Sequence, residues 1–194
     1  MKEVVIIDYG AGNVQSVRFA FERLGVKALL TKNHRIIENA EKVIFPGVGE
    51  AGSAMAEIKK HGLEKTIPEL KQPVLGICLG MQLMCNYSEE SNTSCLDIFP
   101  LKVKKFNNKL KIPQMGWNEL KNLQTRLFNN VDEKSYVYFA NSYYVETSEY
   151  TIAETDYGGK FSAALNKDNF YTCQFHPEKS SDVGVRILKN FLEL

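Results

Sequence analysis

The sequence lacks the features that mark several large classes of protein. No apolar run approaches the roughly 20 residues of a membrane-spanning helix, which argues against a membrane protein. Lysine and arginine number 24 against 23 aspartates and glutamates, so no basic excess points to nucleic acid. No repeat, low-complexity tract or linker divides the chain. The 194 residues, 44% of them hydrophobic, therefore predict a single folded domain spanning residues 1–194.

Cysteine is also scarce. The four cysteines, Cys78, Cys85, Cys95 and Cys173, include no C-x-x-C pair, so the usual zinc and thioredoxin-like spacings are missing and no metal site is predicted. A chain of this size buries about 70% of its unfolded surface and needs no disulfide to fold. The three residues before the first predicted strand are too few for a signal peptide. We therefore expect a cytoplasmic protein whose cysteines are mostly free and buried.

Strand and helix patterns alternate along the first half of the chain. Residues 4–7 are continuously apolar and β-branched, as in a strand buried on both faces of a parallel sheet. A helical pattern runs from Val14 to Leu24 and stops at Gly25. Further elements are predicted as strands at residues 26–30, 42–45 and 73–77 and as helices at 53–60 and from Met81. The predicted fold class is α/β, with a mixed, largely parallel central sheet flanked by helices.

The second half of the chain is richer in strand patterns and in aromatic residues. Turn residues such as Gly158-Gly159 separate these runs, and Ser181 or Asp182 is placed to cap a final helix. The strands are predicted at residues 101–106, 136–139, 143–145, 151–155, 161–165 and 170–175.

Cys78 stands between a predicted strand and a predicted helix. The surrounding Gly76-x-Cys78-x-Gly80 pattern is that of a nucleophile elbow, in which a strained turn projects the nucleophile at the carboxyl end of the sheet. The helix N-terminus beside the sulfur is expected to favour its thiolate form, and the amide of Leu79 is placed to bind an oxyanion. A buried structural cysteine on a glycine-rich turn is the alternative, but the paired glycines favour the catalytic interpretation.

A thiol nucleophile needs a base, and the sequence offers three histidines. His34 and His61 lie in polar segments at predicted helix ends and are interpreted as surface residues. His176 follows a predicted strand, and Pro177 keeps the segment extended, so that Glu178 points the same way as His176. Glu178 can then orient and charge-stabilise the imidazole, as the third member of a triad does. An ordinary surface histidine is the alternative.

Two glycine-containing loops follow other predicted strands. The loop Phe45-Pro46-Gly47-Val48-Gly49 lets backbone amides approach a ligand and can complete an oxyanion hole, although on its own such a loop is usually just a turn. Residues 10–12, Gly-Ala-Gly, suggest a dinucleotide loop, but Gln15 stands where the third glycine of that fingerprint is required.

Taken together, these motifs resemble the triad (class I) glutamine amidotransferases, and among them the glutaminase subunits of imidazole glycerol phosphate synthases. The resemblance rests on the elbow with Gln82 and on motifs in the family's order that span the chain almost end to end. They are Asp-Tyr-Gly-Ala-Gly-Asn at 8–13, Phe-Pro-Gly-Val-Gly at 45–49, Met-Gly-Trp-Asn at 115–118 and His-Pro-Glu-Lys-Ser at 176–180. The fold implied has a flavodoxin-like core.

The resemblance implies a mechanism and the residues that perform it. Cys78 would attack the side-chain amide of glutamine, His176 would protonate the leaving ammonia, and Glu178 would hold His176. Water would then hydrolyse the glutamyl thioester, and no cofactor is implied. The oxyanion would be bound by Leu79, Val48 and Gly49, and the glutamine pocket would be lined by Gly49, Gln82, Glu90, Ser142 and Tyr143.

The resemblance also implies a partner. Ammonia would pass to a (βα)8-barrel synthase subunit in a heterodimer of histidine biosynthesis, with Asn13, Trp117 and Lys179 on the interface side. Hydrolysis in the family is weak until the partner's substrate binds, through rearrangement of the loop at residues 46–49. With 194 residues the chain has no place for an acceptor site of its own.

Three positions in two motifs depart from the family's pattern. Gln114 stands where a histidine commonly precedes Met-Gly-Trp-Asn, and Ala140-Asn141 stands where Val-His commonly precedes Ser-Tyr. They leave open a paralogous amidotransferase that supplies ammonia to another pathway, such as sugar amidination.

Three further classes of protein share some of these features. A cysteine peptidase and a peptidase-like deglycase can both use a cysteine elbow with a histidine, but neither is expected to combine His-Pro-Glu with Met-Gly-Trp-Asn. A non-catalytic binding module is the third class, and a complete triad argues against it.

Overall fold

A seven-stranded sheet lies at the centre of the protein, as seen in a computed structural model that describes residues 4–10, 12, 14–107 and 109–194. The strands of the described chain are β1 (Val4–Ile7), β2 (Ala28–Thr31), β3 (Lys42–Phe45), β4 (Val74–Ile77), β5 (Cys85–Ser88), β6 (Thr93–Ser94), β7 (Phe99–Lys105), β8 (Gln114–Glu119), β9 (Tyr136–Asn141), β10 (Tyr143–Val145), β11 (Thr151–Asp156), β12 (Lys160–Lys167) and β13 (Phe170–Cys173). The α-helices are α1 (Val14–Arg23), α2 (His34–Glu38), α3 (Ala51–Lys60), α4 (Leu63–Thr66), α5 (Leu79–Leu83) and α6 (Ser181–Leu192). None of the helices in these described ranges is long and apolar enough to cross a membrane.

The central sheet has the order β11-β12-β13-β4-β3-β1-β2. The five strands from β13 to β2 run parallel, and β12 and β11 extend the sheet with antiparallel pairing. The predicted mixed, largely parallel sheet flanked by helices is therefore confirmed. A four-stranded sheet, β10-β7-β5-β6, and the two-stranded β8-β9 complete the strand-rich second half. That residues 1–194 act as one domain stays a prediction.

Strand β1 shows why the sheet is covered on both faces. All four of its side chains are fully buried, and they alternate between two separate apolar cores. Val4 and Ile6 pack with residues of α1 and α6, whereas Val5 and Ile7 pack with residues of α3 and α4. Burial of a valine or isoleucine side chain is worth about 1.5–3 kcal/mol, so the continuous apolar run is stable only with helices on both sides.

Several element boundaries differ from the sequence predictions. The second strand begins at Ala28 instead of residue 26. Helix α3 begins at Ala51, two residues early, because the carboxylate of Glu50 accepts hydrogen bonds from the amides of Gly52 and Ser53 and caps the helix. The helix after Cys78 lasts only five residues before the chain turns into β5 at Cys85.

Strand β8 was missed because its polarity is reversed. In a half-buried strand the apolar side chains normally face the core. Here Gln114 is buried, while Met115 and Trp117 are 68% and 52% exposed. Local sequence gives no reason for apolar residues to point outward, so the alternation did not predict a strand.

The strand order places the loops that carry the predicted functional residues side by side. Strand β4 lies between β3 and β13, and all three are parallel. The carboxyl ends of neighbouring parallel strands meet at one edge of the sheet, which is where open α/β sheets bind ligands. Cys78 after β4, the loop at residues 46–49 after β3 and His176 after β13 therefore share that edge.

A close approach between β3 and α5 fixes the turn at Cys78. A β-carbon on Gly80 would overlap the carbonyl oxygen of Phe45, and one on Gly47 would lie 2.8 Å from the amide nitrogen of Gly80. Backbone here packs directly on backbone, so neither neighbour can move aside as a flexible side chain would.

We predict that Gly80→Ala destabilises the protein by more than about 3 kcal/mol, because the added methyl group must displace backbone of β3 or α5. Gly25→Ala is the matched control: Gly25 has a positive φ of 75° but open space around it. Its expected cost is only the roughly 1–2 kcal/mol of a left-handed residue. Urea denaturation measures both, and equal losses would refute the packing argument.

Candidate active site

Cys78 occupies the strained turn that the glycine pattern predicts. Its φ of 53° and ψ of −108° lie where non-glycine residues are rarely found, at a cost on the order of 1–3 kcal/mol. The Cys78 amide donates to the carbonyl of Cys173 at 2.7 Å, and its carbonyl accepts from the amides of Met81 and Gln82. Strand β13 on one side and helix α5 on the other thus hold the backbone that carries the thiol.

His176 and Glu178 form a buried pair beside the thiol. His176 Nδ1 lies 2.8 Å from Glu178 Oε1, and the two side chains are 3% and 1% exposed. The segment is not extended as predicted, because Pro177–Lys179 form a 3-10 helix that Pro177 begins. The other carboxylate oxygen, Glu178 Oε2, has no hydrogen-bond partner among the described residues. The imidazole is therefore the group that balances this carboxylate's buried charge.

The imidazole of His176 is held in its protonated form. Burial by itself lowers the pKa of His176, but the hydrogen bonds to Cys78 and Glu178 and the negative charge of both partners outweigh burial and raise it to about 10. At neutral pH His176 is thus an imidazolium beside the thiol, which is the form of the base expected next to an activated cysteine nucleophile.

Ser180 fixes the segment that carries His176. Its hydroxyl donates to the carbonyl of His176 at 2.6 Å and accepts from the amide of Tyr138 at 3.0 Å. The His176 amide in turn donates to the carbonyl of Tyr138 at 2.9 Å. The loop is therefore tied to strand β9. Sequence reasoning assigned Ser180 no role; its place at the N-terminus of α6 was the available signal.

A cavity of about 340 Å³ opens above Cys78, large enough for an amino acid. Every residue that the family resemblance assigns to the glutamine pocket lines it, and so do the three residues assigned to oxyanion binding. The full lining is Val48, Gly49, Cys78, Leu79, Gln82, Glu90, Pro113, Ala140, Asn141, Ser142, Tyr143, His176 and Lys179.

The polar groups of the cavity suit a zwitterionic ligand. Glu90 is half-buried; burial raises the pKa of its carboxyl, while a hydrogen bond from the amide of Ala51 at 2.8 Å opposes that effect. Its carboxylate is a natural partner for an ammonium group. Gln82 is almost fully buried and donates through Nε2 to the carbonyl of Tyr143 at 3.2 Å and to Gln174 Oε1 at 3.0 Å. These bonds fix the orientation of the Gln82 amide.

The predicted oxyanion donors are only partly available. The amide of Leu79 donates to the carbonyl of Gly47 at 3.3 Å, so in this conformation the loop after β3 satisfies it. Tyr9 anchors that loop, since its buried hydroxyl donates to the carbonyl of Pro46 at 2.8 Å. Gly49, with a φ of 111°, gives the loop a conformation that other residues rarely adopt. A shift of this loop would free the Leu79 amide to face the cavity.

Two of the three residues that depart from the family pattern form a cross-strand pair. Gln114 on β8 lies directly opposite Asn141 on β9, and each is 4% exposed. Asn141 Nδ2 donates to the carbonyl of Tyr143 at 2.9 Å. The side-chain oxygens of Gln114 and Asn141 lack hydrogen-bond partners among the described residues. Only Asn141 lines the cavity, where its oxygen is an acceptor for a ligand N–H.

The other three cysteines and the other two histidines lie outside the cavity. All four cysteines are free and lie in the described part of the chain, but only Cys78 lines the cavity. Burial raises the pKa of Cys85, of Cys173 and, to about 11, of Cys95. His34 hydrogen-bonds to Thr66 and to the carbonyl of His61. Both histidines are half-buried, so their interpretation as surface residues is only partly right, and neither lines the cavity.

An exposed apolar surface lies beside the cavity on the β8-β9 sheet. We call it the β8-β9 face and define it by Met115, Trp117 and Tyr136, all more than half exposed. The Trp117 ring contacts the Tyr138 ring edge-on, and Lys179 Nζ lies 5.9 Å from that ring's centroid. Of the predicted interface residues, Trp117 and Lys179 are thus neighbours of Tyr138, while Asn13 lies outside the described residues.

The fold and the site together define a class: a hydrolase in which a cysteine, a histidine and a glutamate meet at the carboxyl edge of a doubly wound sheet. The family model "Glutamine amidotransferase class-I" matches residues 5–194. An imidazole glycerol phosphate synthase subunit HisH of Bacteroides fragilis is 55% identical over 195 residues, covering 99% of this chain and 100% of that protein. HisH of Shewanella sediminis is 47% identical, covering 98% and 90%.

Solved structures agree on the fold. A crystal structure of a glutamine amidotransferase superposes with a TM-score of 0.77 at 18% identity, covering 97% of each chain. A glutamine amidotransferase from Thermotoga maritima gives 0.65 at 16% identity, covering 98% of this chain and 80% of that one. The chain belongs to the class-I glutamine amidotransferase family and, within it, to the HisH subunits of imidazole glycerol phosphate synthase.

We predict that the stability cost of Glu178→Gln depends on pH. The pKa of His176 rises from 6.5 in the unfolded chain to about 10 in the folded protein. The stabilisation from its protonated form is therefore complete below pH 6.5 and lost as the pH rises through about 10. Chemical denaturation should show a large difference between wild type and variant at pH 6 that shrinks toward pH 10. The same difference at both pH values would contradict the assignment.

Proposed function

We propose that this protein is the glutaminase subunit of an imidazole glycerol phosphate synthase, hydrolysing glutamine to glutamate and ammonia through Cys78, His176 and Glu178. The observation that carries the proposal is the strained Cys78, which lines an amino-acid-sized cavity together with an imidazole that Glu178 holds at 2.8 Å. The 55% identity to a HisH subunit over the whole chain supports the choice of enzyme.

Two half-reactions follow from this geometry. The Cys78 thiolate attacks the side-chain carbonyl carbon of glutamine and forms a C–S bond, and the carbonyl oxygen takes up negative charge. The His176 imidazolium then protonates the amide nitrogen. The C–N bond breaks, ammonia departs, and Cys78 is left as a glutamyl thioester. In the second half, neutral His176 takes a proton from water as water attacks the thioester. Glutamate is then released, and the thiolate–imidazolium pair of Cys78 and His176 is regenerated.

The cavity residues supply recognition. Glu90 is placed to bind the α-ammonium group of glutamine, since it is half-buried and already fixed by the amide of Ala51. Gln82, Ser142, Tyr143 and Gly49 line the remaining wall. Charge-assisted hydrogen bonds of this kind are roughly twice as strong as neutral ones, which suits recognition of the amino-acid end of the substrate.

The loop at residues 46–49 is proposed as the element that keeps hydrolysis weak without a partner. Leu79, Val48 and Gly49 are the proposed oxyanion donors, but the Leu79 amide donates to Gly47 in this conformation. Loss of one oxyanion donor typically costs about 10²–10³ in rate. A partner that displaces the loop would release the donor and raise the turnover.

The proposed partner is a (βα)8-barrel synthase subunit that receives the ammonia in a heterodimer. The β8-β9 face, with Trp117 at its centre and Lys179 at the cavity rim, has the aromatic character of an interface core. Asn13 is also proposed to lie on the interface side. The pathway is histidine biosynthesis rather than sugar amidination, because relatives from Bacteroides, Shewanella and Haemophilus carry the HisH name. The cytoplasm, which keeps the catalytic cysteine reduced, is the proposed location.

We predict that Cys78→Ala and Cys78→Ser abolish glutamine-dependent synthesis by the complex, since no other thiol lines the cavity. Synthesis driven by added ammonia should persist, because the acceptor site belongs to the partner. Both rates can be followed on one preparation with the nucleotide substrate present. Residual glutamine hydrolysis by the purified variant would show that the nucleophile is wrongly assigned.

We predict that Trp117→Ala raises the Kd for the barrel subunit by about 30-fold or more, as expected for a central aromatic contact worth about 2 kcal/mol. Phe19→Ala is the matched control, since Phe19 is similarly exposed, at 48%, but lies on α1. Titration calorimetry with the isolated subunits measures both affinities. An unchanged Kd for the tryptophan variant would place the interface elsewhere.

A further inference from the structure

Gln174 lies behind Cys78, on the side of the sulfur away from the cavity. It is fully buried, follows strand β13 and precedes the His176 segment by two residues. Its side-chain Nε2 lies 3.8 Å from Cys78 Sγ as a donor, and its Oε1 accepts from Gln82 Nε2 at 3.0 Å. The Gln174 amide donates to the carbonyl of Ala163 at 2.8 Å, which anchors its backbone to β12.

The direction of this chain of amides is fixed by a backbone group. The carbonyl of Tyr143 can only accept, so the end of Gln82 that faces it must be the NH₂ group. That NH₂ group also faces Gln174, which must therefore present its oxygen to Gln82. The NH₂ group of Gln174 is then the end that faces the sulfur. Both ends of a fully buried amide are thus engaged.

A second contact shows why a thiolate at Cys78 needs hydrogen-bond donors. Cys78 Sγ lies 3.9 Å from the carbonyl oxygen of Ala140, which can accept a proton from a thiol but repels a thiolate. His176, which lines the same cavity, supplies one compensating electrostatic interaction. Gln174 supplies a second, and a hydrogen bond to a charged group is worth more than one between neutral groups.

We propose that Gln174 is a further residue of the catalytic site: it donates to the Cys78 thiolate and, through its oxygen, holds Gln82 toward the bound substrate. The second half of this statement rests on the proposed glutaminase function; the first half concerns the resting protein alone. A purely structural role would be to fill space between β13 and α5. Methionine, which is unbranched and of similar size, would then replace Gln174 with little effect on the thiol.

Other charged and titratable groups also act on the sulfur and must stay constant in a test. The imidazolium of His176 and the buried phenol of Tyr9 both interact electrostatically with Cys78. Glu178 acts through His176, while Glu90 and Lys179 line the same cavity. None of these residues is changed by a substitution at position 174.

The test is the pH dependence of Cys78 alkylation by iodoacetamide, measured by mass spectrometry on the isolated protein without glutamine or partner. We expect Gln174→Met to move the midpoint of the alkylation profile up by about one pH unit and to slow alkylation at pH 7 about tenfold. Gln114→Met is the matched control, since Gln114 is an almost fully buried glutamine that does not line the cavity. Its midpoint should stay at the wild-type value.

The possible results separate a catalytic from a structural role. A midpoint for Gln174→Met equal to that of wild type, in a variant that unfolds at the wild-type urea concentration, overturns the proposal. Should the methionine variant fail to fold, Gln174→Asn keeps a polar amide but reaches one methylene less far, and it must show the same upward shift. A shifted midpoint in a protein that hydrolyses no glutamine even with its partner would uphold the role of Gln174 and refute the proposed function.

A turnover measurement in the complex tests the link to Gln82. With Gln174→Met we expect the KM for glutamine to rise, because Gln82 loses one of its two fixed partners. The fall in kcat should recover as the pH is raised above the shifted alkylation midpoint. A loss of kcat that is the same at every pH would mark a structural defect and count against the proposal.

Discussion

The parallel pairing of β4 with β13 on one side and β3 on the other is the constraint on which the site depends. It brings Cys78, His176 and the loop at residues 46–49 to one sheet edge although they are far apart in sequence. The 2.7 Å hydrogen bond from the Cys78 amide to the Cys173 carbonyl extends this pairing into the turn itself. Slippage of either strand would separate the nucleophile from its acid–base partner, so the burial energy of the sheet also maintains the catalytic geometry.

The electrostatic surroundings distinguish Cys78, the proposed nucleophile, from the other three cysteines. Two of the other cysteines are fully buried and the third is partly buried, and burial raises the pKa of all three. Cys78 alone has the imidazole of His176, the amide of Gln174 and an opening to solvent. The buried Glu178 makes this possible, because an imidazolium without a carboxylate partner would lose its proton on burial. The site thus combines backbone strain at Cys78 with a Glu178 oxygen that no described residue hydrogen-bonds, and the surrounding cores stabilise both.

The sequence predicted the parts of this arrangement that have local causes. The apolar run of β1, the helical spacing of α1 and the Gly-x-Cys-x-Gly turn each follow from a repeat or a steric rule, and each was placed within a few residues. Glu178 does contact His176, but the extended segment from which this was predicted is wrong: Pro177–Lys179 form a 3-10 helix, and the 2.8 Å contact is made across that turn. Gln174 and Ser180 were not given roles, because the groups they contact are about 40 to 100 residues away in the sequence. Strand β8 was missed for another reason, since its apolar residues face outward. The exposure of Trp117 is explained by the proposed partner, which the sequence of this chain does not contain.

At neutral pH His176 is an imidazolium that Glu178 holds beside Cys78. Nuclear magnetic resonance of the protein labelled with ¹⁵N at its histidines measures this directly, through the ring nitrogen shifts of His176 between pH 5 and 11. The account predicts that His176 keeps the shifts of the doubly protonated ring past pH 8 and titrates near pH 10. A titration of His176 near pH 6.5 would contradict it.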